Sequence, residues 1–395
     1  MSSTTFSQDD TKALGEGHVL SYEASATALK ALTEATTSNH GIDPQQTLHA
    51  PANTDQGQSW IQRHFNISGL TSKLDSLENN FHMGNYVIDR KTGEKSFEAM
   101  SIYVRMGMHL LYYGTEQEKL LHDQRVLGLL KSQSEKMGRA YDMPESVAHI
   151  APFIESFQLG STMQEMIQPD PAKYPNFNAF FAREIRSDAR PVDEPNNDSV
   201  TSSPADCRLT AFPTIDLATK YWIKGFGFTL DRLFSDATLA QELAGGSMVI
   251  ARLAPQDYHR WHAPVSGTVE NVKEIPGAYY TVNPQAINEA GTMDVFCENR
   301  RSVMTVKRDG TGSKVVIIAV GAMLVGSIKY NQGMDQPGAH FKRGQCLGAF
   351  CYGGSTVIVV YPKGEVNLDE DLVKNSIEQN CETLMRVGWR VGITT

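Results

Sequence analysis

The longest apolar run in the chain, Val315 to Ile328 (VVIIAVGAMLVGSI), is 14 residues long. That is shorter than the roughly 20 residues a helix needs to cross a bilayer. Gly321 and Gly326 interrupt it and Val and Ile dominate it, so buried strands fit it better than a helix. The same texture extends from Val200 to about Pro362, where short Val/Ile/Thr/Tyr runs alternate with Gly, Pro, Asn and Asp. Strands are predicted at Ser247 to Leu253, Gly267 to Ile275, Ser302 to Val306, Lys314 to Val320, Leu324 to Ile328 and Ser355 to Tyr361. Pro276-Gly277, Asp309-Gly310 and Pro337-Gly338 mark turns between several of them.

The remainder of the chain reads differently. Residues 1–57 are rich in Ser, Thr, Gln, Asn and Asp and hold too few large apolar groups to offset the entropy of ordering, which predicts a flexible polar tail. Residues 58–168 place Leu, Ile, Val, Met and Phe at three- and four-residue spacings over Ser101 to Tyr113, Glu116 to Tyr141 and Pro144 to Leu159, the pattern of a helical region. The segment Tyr103 to Tyr113 mixes Met, Leu and Tyr with Arg105 and His109, which suits either a packed helix or an interfacial face. A Pro/Asn-rich bridge follows, and Leu368 to Met385 returns to helical spacing.

Charge and cysteine usage exclude several classes. With 36 Lys+Arg against 45 Asp+Glu the formal charge is −9, unlike a protein that coats nucleic acid. Cys207, Cys297, Cys346, Cys351 and Cys381 are odd in number and contain no C-x-x-C pair, so neither a disulfide framework nor a structural zinc site is expected. The N-terminus lacks the basic and apolar blocks of a secretory signal. The expectation is a reducing, intracellular setting, cytoplasmic or peripheral on an internal membrane, with no transmembrane segment.

Chemistry concentrates at three places. His259 and His262 form an H-x-x-H pair in DYHRWHAP, but zinc helices of the metalloprotease kind need histidines four apart with Glu after the first, and Arg260 stands there. Pro264 disfavours a helix, and on an extended segment residues three apart point to opposite sides. The two histidines then do different jobs, or one is structural. The second place is Gly353-Gly354-Ser355-Thr356, entering the run Val357 to Val360. It reads either as a strand-entry turn or as an exposed peptide bond whose Gly354 carbonyl the Ser355 hydroxyl attacks, which requires a general base. The third is Asp206 in SPADC, a carboxylate able to orient a histidine or simply to cap a turn.

Taken together and in order, FNAFFAREI with ARPVD, SPADC, DYHRWHAPVSGTV, VNPQAIN, VFCENRRSV, VGAMLVGSI and KRGQCLGAFCYGGSTVIV resemble the phosphatidylserine decarboxylase family, and most of all its eukaryotic type II branch. The resemblance covers residues 170–362 well and implies a catalytic domain over 169–395 that cleaves itself between Gly354 and Ser355. It further implies that Ser355 is the nucleophile, His262 the base and Asp206 its orienting carboxylate. Ser355 then becomes a covalent pyruvoyl group, an electron sink that replaces pyridoxal phosphate, and no metal is needed. His259 is implied in protonating the carbanion left by decarboxylation.

The fold expectation is α+β, with a β-rich, barrel-like catalytic domain and an N-terminal helical region. Ala263 to Val269 with Lys342 to Gly344 is similar to the paired strands of biotinyl/lipoyl carrier barrels, so a non-enzymatic carrier or binding module is the rival class. A carrier would stay at 395 residues, whereas processing gives fragments of 354 and 41. Phosphatidylserine is the implied substrate, with a free aromatic amino acid such as tryptophan or phenylalanine as the alternative. Peripheral membrane contact and cleaved chains that stay associated are expected, nucleic acid is not, and a homodimer is left open.

Overall fold

The computed structural model describes residues 84–99, 135, 138–223, 227–280, 282, 294–322, 327–351 and 355–395. The polar tail, the segment Tyr103 to Tyr113, Gly354 and most of VNPQAIN lie outside the described residues.

The strands are β1 (Gly84–Asp89), β2 (Lys95–Ala99), β3 (Val200–Ser202), β4 (Cys207–Phe212), β5 (Ser247–Leu253), β6 (Arg260–His262), β7 (Gly267–Ile275), β8 (Arg301–Arg308), β9 (Lys314–Gly321), β10 (Ser327–Tyr330), β11 (His340–Phe341), β12 (Cys346–Cys351), β13 (Ser355–Tyr361), β14 (Val366–Leu368), β15 (Glu382–Met385) and β16 (Arg390–Thr394). A ten-stranded sheet runs in the order β11-β7-β8-β9-β13-β5-β4-β15-β1-β2, beside two three-stranded sheets, β10-β12-β6 and β14-β16-β3. The architecture is thus a strand-rich α+β fold. The sheets are open orders, and no closed barrel is found among the described residues. β11 pairs antiparallel with the start of β7, and Gly344 N donates to Ala263 O at 2.8 Å.

The apolar run that opens at Val315 is continuous because β9 is covered on both faces. Val316, Ile318 and Val320 join one core cluster, and Val315, Ile317 and Ala319 join the other. The same holds for β13, with Ile358 and Val360 on one side and Val357, Val359 and Tyr361 on the other. Alternation is invisible in such strands because both faces are dry. Asp309-Gly310 and Pro337-Gly338 do turn the chain, with φ of +79° at Gly310 and +88° at Gly338, angles that favour glycine.

Two expectations need correction. Residues 84–99, assigned to the helical region, form the β1–β2 hairpin, and β1 adds to the main sheet parallel to β15. Leu368 to Met385 is helical only over Glu370–Ile377; Asn380 takes a left-handed φ of +49° and β15 then pairs with β1 and β4. Sheet pairing across distant sequence overrides the local helical spacing. Pro144–His149 and Ile150–Ser156 are helical turns, as the spacing there predicts.

Candidate active site

Ser355 opens β13 at the middle of the large sheet, opposite Leu253 of β5 and Gly321 of β9, and is fully buried. β5 ends at Leu253 and the chain turns over Ala254 to Asp257 before entering β6. Pro255 suits the second position of that turn. Asp257 N donates to Ala254 O at 2.9 Å, and Ala254 N donates back to Asp257 Oδ2 at 2.7 Å, so the turn is closed from both ends. The turn delivers His259, also fully buried, so that its Nδ1 lies 3.3 Å from Ser355 Oγ.

The protonation of the His259 ring follows from its partners. Nε2 lies 2.9 Å from Ala254 O, which can only accept, so Nε2 carries the proton and Nδ1 presents a lone pair to the Ser355 hydroxyl. Burial holds the ring neutral by lowering its pKa to about 3. The Ala254 carbonyl opposes that shift, and the charges of Arg183 and Arg208 add to it. The Phe181 ring stacks on His259 with centroids 4.0 Å apart. Phe181 is placed by the short helix Phe177–Phe181, whose N-terminus is capped by Asn176 Oδ1 accepting from Ala179 N at 2.8 Å.

His262 is differently engaged. Its Nδ1 donates to Gly344 O at 2.7 Å and its Nε2 accepts from the Tyr258 hydroxyl at 3.1 Å. Asp206 is held by Arg190, with Nε at 3.0 Å and Nη2 at 2.6 Å, and accepts from Val387 N at 2.9 Å. The expected Asp206–His262–Ser355 chain is therefore not assembled among the described hydrogen bonds: the histidine touching Ser355 is His259. His259 precedes β6 and His262 ends it, and the two rings have different partners. The segments of Asp206 and His262 are nonetheless neighbours, because His262 N donates to Pro204 O at 2.7 Å. Cys346 faces His262 across the β6–β12 pair; burial raises its thiol, but His262 and Arg260 outweigh that and bring it down to about 7.

Sequence reasoning gave no role to Phe181, Ala254, Asp257 or Arg183. Arg183 is buried, with Nη2 reaching the carbonyls of Gln256 at 3.4 Å and Asp257 at 3.2 Å. A Pro-x-Asp turn just ahead of the histidines is the signal that would have singled out Asp257. Among the described residues no group of three His, Cys, Asp or Glu side chains is gathered to hold a metal ion.

A family model described as phosphatidylserine decarboxylase matches residues 177–389. Phosphatidylserine decarboxylase proenzyme 3 of Schizosaccharomyces pombe is 42% identical over 306 residues, covering 78% of this chain and 30% of the relative. Phosphatidylserine decarboxylase proenzyme 2 of Oryza sativa is 40% identical over 309 residues, 78% of this chain and 48% of the relative. The chain thus spans less than half the length of these two relatives. It aligns over 98% of the phosphatidylserine decarboxylase proenzyme of Fusobacterium nucleatum, at 35% identity across 313 residues. The chain belongs to the phosphatidylserine decarboxylase family.

Proposed function

We propose that this chain is the precursor of a pyruvoyl-dependent carboxy-lyase that converts phosphatidylserine to phosphatidylethanolamine and carbon dioxide, after cutting itself between Gly354 and Ser355. The observation that carries the reading is the buried Ser355 hydroxyl, preceded in sequence by two glycines and hydrogen-bonded at 3.3 Å to the unprotonated nitrogen of a neutral histidine. Self-cleavage moves the acyl group of Gly354 from the Ser355 nitrogen to its oxygen. The hydroxyl proton must leave and the departing nitrogen must gain one, so an imidazole close by can relay it.

Ser355 fits the group it would become. It is covered by the sheet, faces one imidazole and, among the described residues, has no charged side chain as a hydrogen-bond partner. Formed there, the pyruvoyl group supplies an electron-withdrawing carbonyl at which the electron pair released by carbon dioxide can be held. His259 stands beside that centre, held by Ala254 and stacked on Phe181; its Nδ1 lone pair is placed to take up a solvent proton and pass it to the carbon that carbon dioxide leaves.

Roles divide between the two histidines. His262 with Asp206 serves chain cleavage, a reading supported by the family resemblance and by the bond that joins their segments at Pro204; it needs Tyr258 to release the ring and Arg190 to release the carboxylate. His259 serves decarboxylation. The contact of His259 with Ser355 also favours a second reading, in which His259 is itself the cleavage base.

Cleavage would leave β13, β14, β15 and β16 on the 41-residue piece, with β13 between β5 and β9 and β15 between β4 and β1. That interleaving supports two chains that stay associated. A lipid substrate requires the site to meet a bilayer surface, so peripheral membrane contact belongs to the reading; no helix among the described residues is long and apolar enough to cross one. The test is to incubate purified protein separately with phosphatidylserine, tryptophan and phenylalanine and to identify the amine by mass spectrometry. Phosphatidylethanolamine is expected; tryptamine or phenethylamine instead would move the substrate to free amino acids. An uncleaved chain with no amine product would leave the carrier class.

A further inference from the structure

The Ala254 to Asp257 turn is gripped more heavily than a surface turn requires. Asp257 Oδ2 accepts from Ala254 N at 2.7 Å and pairs with Arg208 of β4. Gln256 Nε2 donates to Glu98 Oε1 of β2 at 3.0 Å, and Arg183 bonds the Gln256 and Asp257 carbonyls. Glu98 also binds Arg208, with Nε at 2.9 Å from both oxygens, and takes a contact from Arg252 at 3.3 Å, which Glu382 pairs at 2.6 Å. Arg208 thus has a bidentate carboxylate partner without Asp257. Among the described residues, Asp257 is the acceptor for Ala254 N–H, and Ala254 is the residue whose carbonyl fixes the ring of His259.

The geometry points to Asp257 as a positioning residue for His259: its carboxylate closes the turn so that Ala254 O takes the Nε2 proton and leaves Nδ1 unprotonated toward Ser355. A backbone carbonyl, set by a carboxylate one step removed, does here what a directly bonded aspartate does in a serine–histidine–aspartate triad. Holding one tautomer matters because the neutral ring can offer its lone pair from only one nitrogen. Rotation of Ala254 would free the ring to carry its proton on Nδ1, which would then have no lone pair to take up the proton that His259 passes to the substrate carbon. The inference rests on the role of His259 proposed above, but the tautomer can be read independently of any activity.

The experiment uses the full chain with Ser355→Ala, labelled with 15N at histidine, and reads the two ring nitrogens of His259 by NMR. With Asp257 in place the Nε2–H form is expected. Asp257→Ala should move the ring toward a mixture with the Nδ1–H form, while unchanged His262 and His340 signals report an intact fold. Asp257→Asn, whose Oδ1 can still accept from Ala254 N–H, should keep the Nε2–H form. In chains that retain Ser355, Asp257→Ala should lower turnover per cleaved chain roughly 100-fold at little-changed KM, with Asp257→Asn losing about tenfold or less, within the range of general acid–base assistance. An unchanged tautomer in Asp257→Ala would overturn the proposal. So would Asp257→Asn shifting the tautomer and losing turnover as fully as Asp257→Ala, the pattern of a residue that only neutralises Arg208; Asp257→Asn decides alone if the alanine variant does not fold. His259→Ala is measured alongside: full turnover in that variant removes the role of His259, while the tautomer still decides whether Asp257 positions it.

Discussion

Replacing each histidine in turn separates the two jobs assigned to them. His262→Ala should leave the chain at 395 residues on a denaturing gel, where the parent chain gives fragments of 354 and 41. General-base assistance supplies about 10²- to 10⁴-fold, so cleavage that finishes in an hour should take days or longer, a barrier increase of about 3–5 kcal/mol. The substitution also strips Gly344 O and the Tyr258 hydroxyl of their ring partners, at about 1–3 kcal/mol for each buried group left unpaired. A urea titration must accompany the gel, to show that the uncleaved chain is folded. His259→Ala should cleave and yet lose amine production. Its fold is protected at one point, because Ala254 O keeps its bond from Asp257 N. The division of labour is refuted if His262→Ala cleaves at the parental rate and His259→Ala does not; the 3.3 Å contact with Ser355 would then identify the cleavage base.

Ser355→Ala should give a folded, uncleaved and inactive chain, and recovery of the two fragments on a gel would remove Ser355 as the nucleophile. Gly348→Ala should lose about 1–3 kcal/mol in denaturant unfolding, because a Cβ there would lie 2.4 Å from both Lys329 O and Trp261 Cζ2, the overpacking that strains the strand pair carrying His262. Acid should weaken the native state through His259, whose folded pKa lies near 3 against 6.5 for a free ring. The unfolded chain binds the extra proton below 6.5, so this contribution is complete above that pH and declines as pH falls toward 3. Between pH 7 and 5 the parent chain should lose about 2 kcal/mol relative to His259→Phe, measured as the difference of two urea titrations, and equal losses in both chains would contradict a buried neutral ring.

What was legible in the sequence was whatever local pattern alone decides. β5, β7 and β13 fall where Val/Ile runs stop at turn residues, and the H-x-x-H spacing allowed the two histidines the different partners they have. What pairing over long distances decides was hidden. β15 is a strand because β1 and β4 flank it, although Leu368 to Met385 is spaced like a helix throughout. Glu98 and Glu382 look like surface acids until Arg208 and Arg252 are brought beneath them; burial raises Glu98, but those two guanidinium groups outweigh it and hold the carboxyl down at about 2. The same limit applies at the site. SPADC and ARPVD are both visible as motifs, but neither shows that Arg190 of one closes on Asp206 of the other. That contact sets a condition on the cleavage reading: an aspartate held at 2.6 Å by a guanidinium can orient His262 only if Arg190 gives it up, and Glu165, 2.9 Å from the same Arg190 nitrogen, is the carboxylate already in place to receive it.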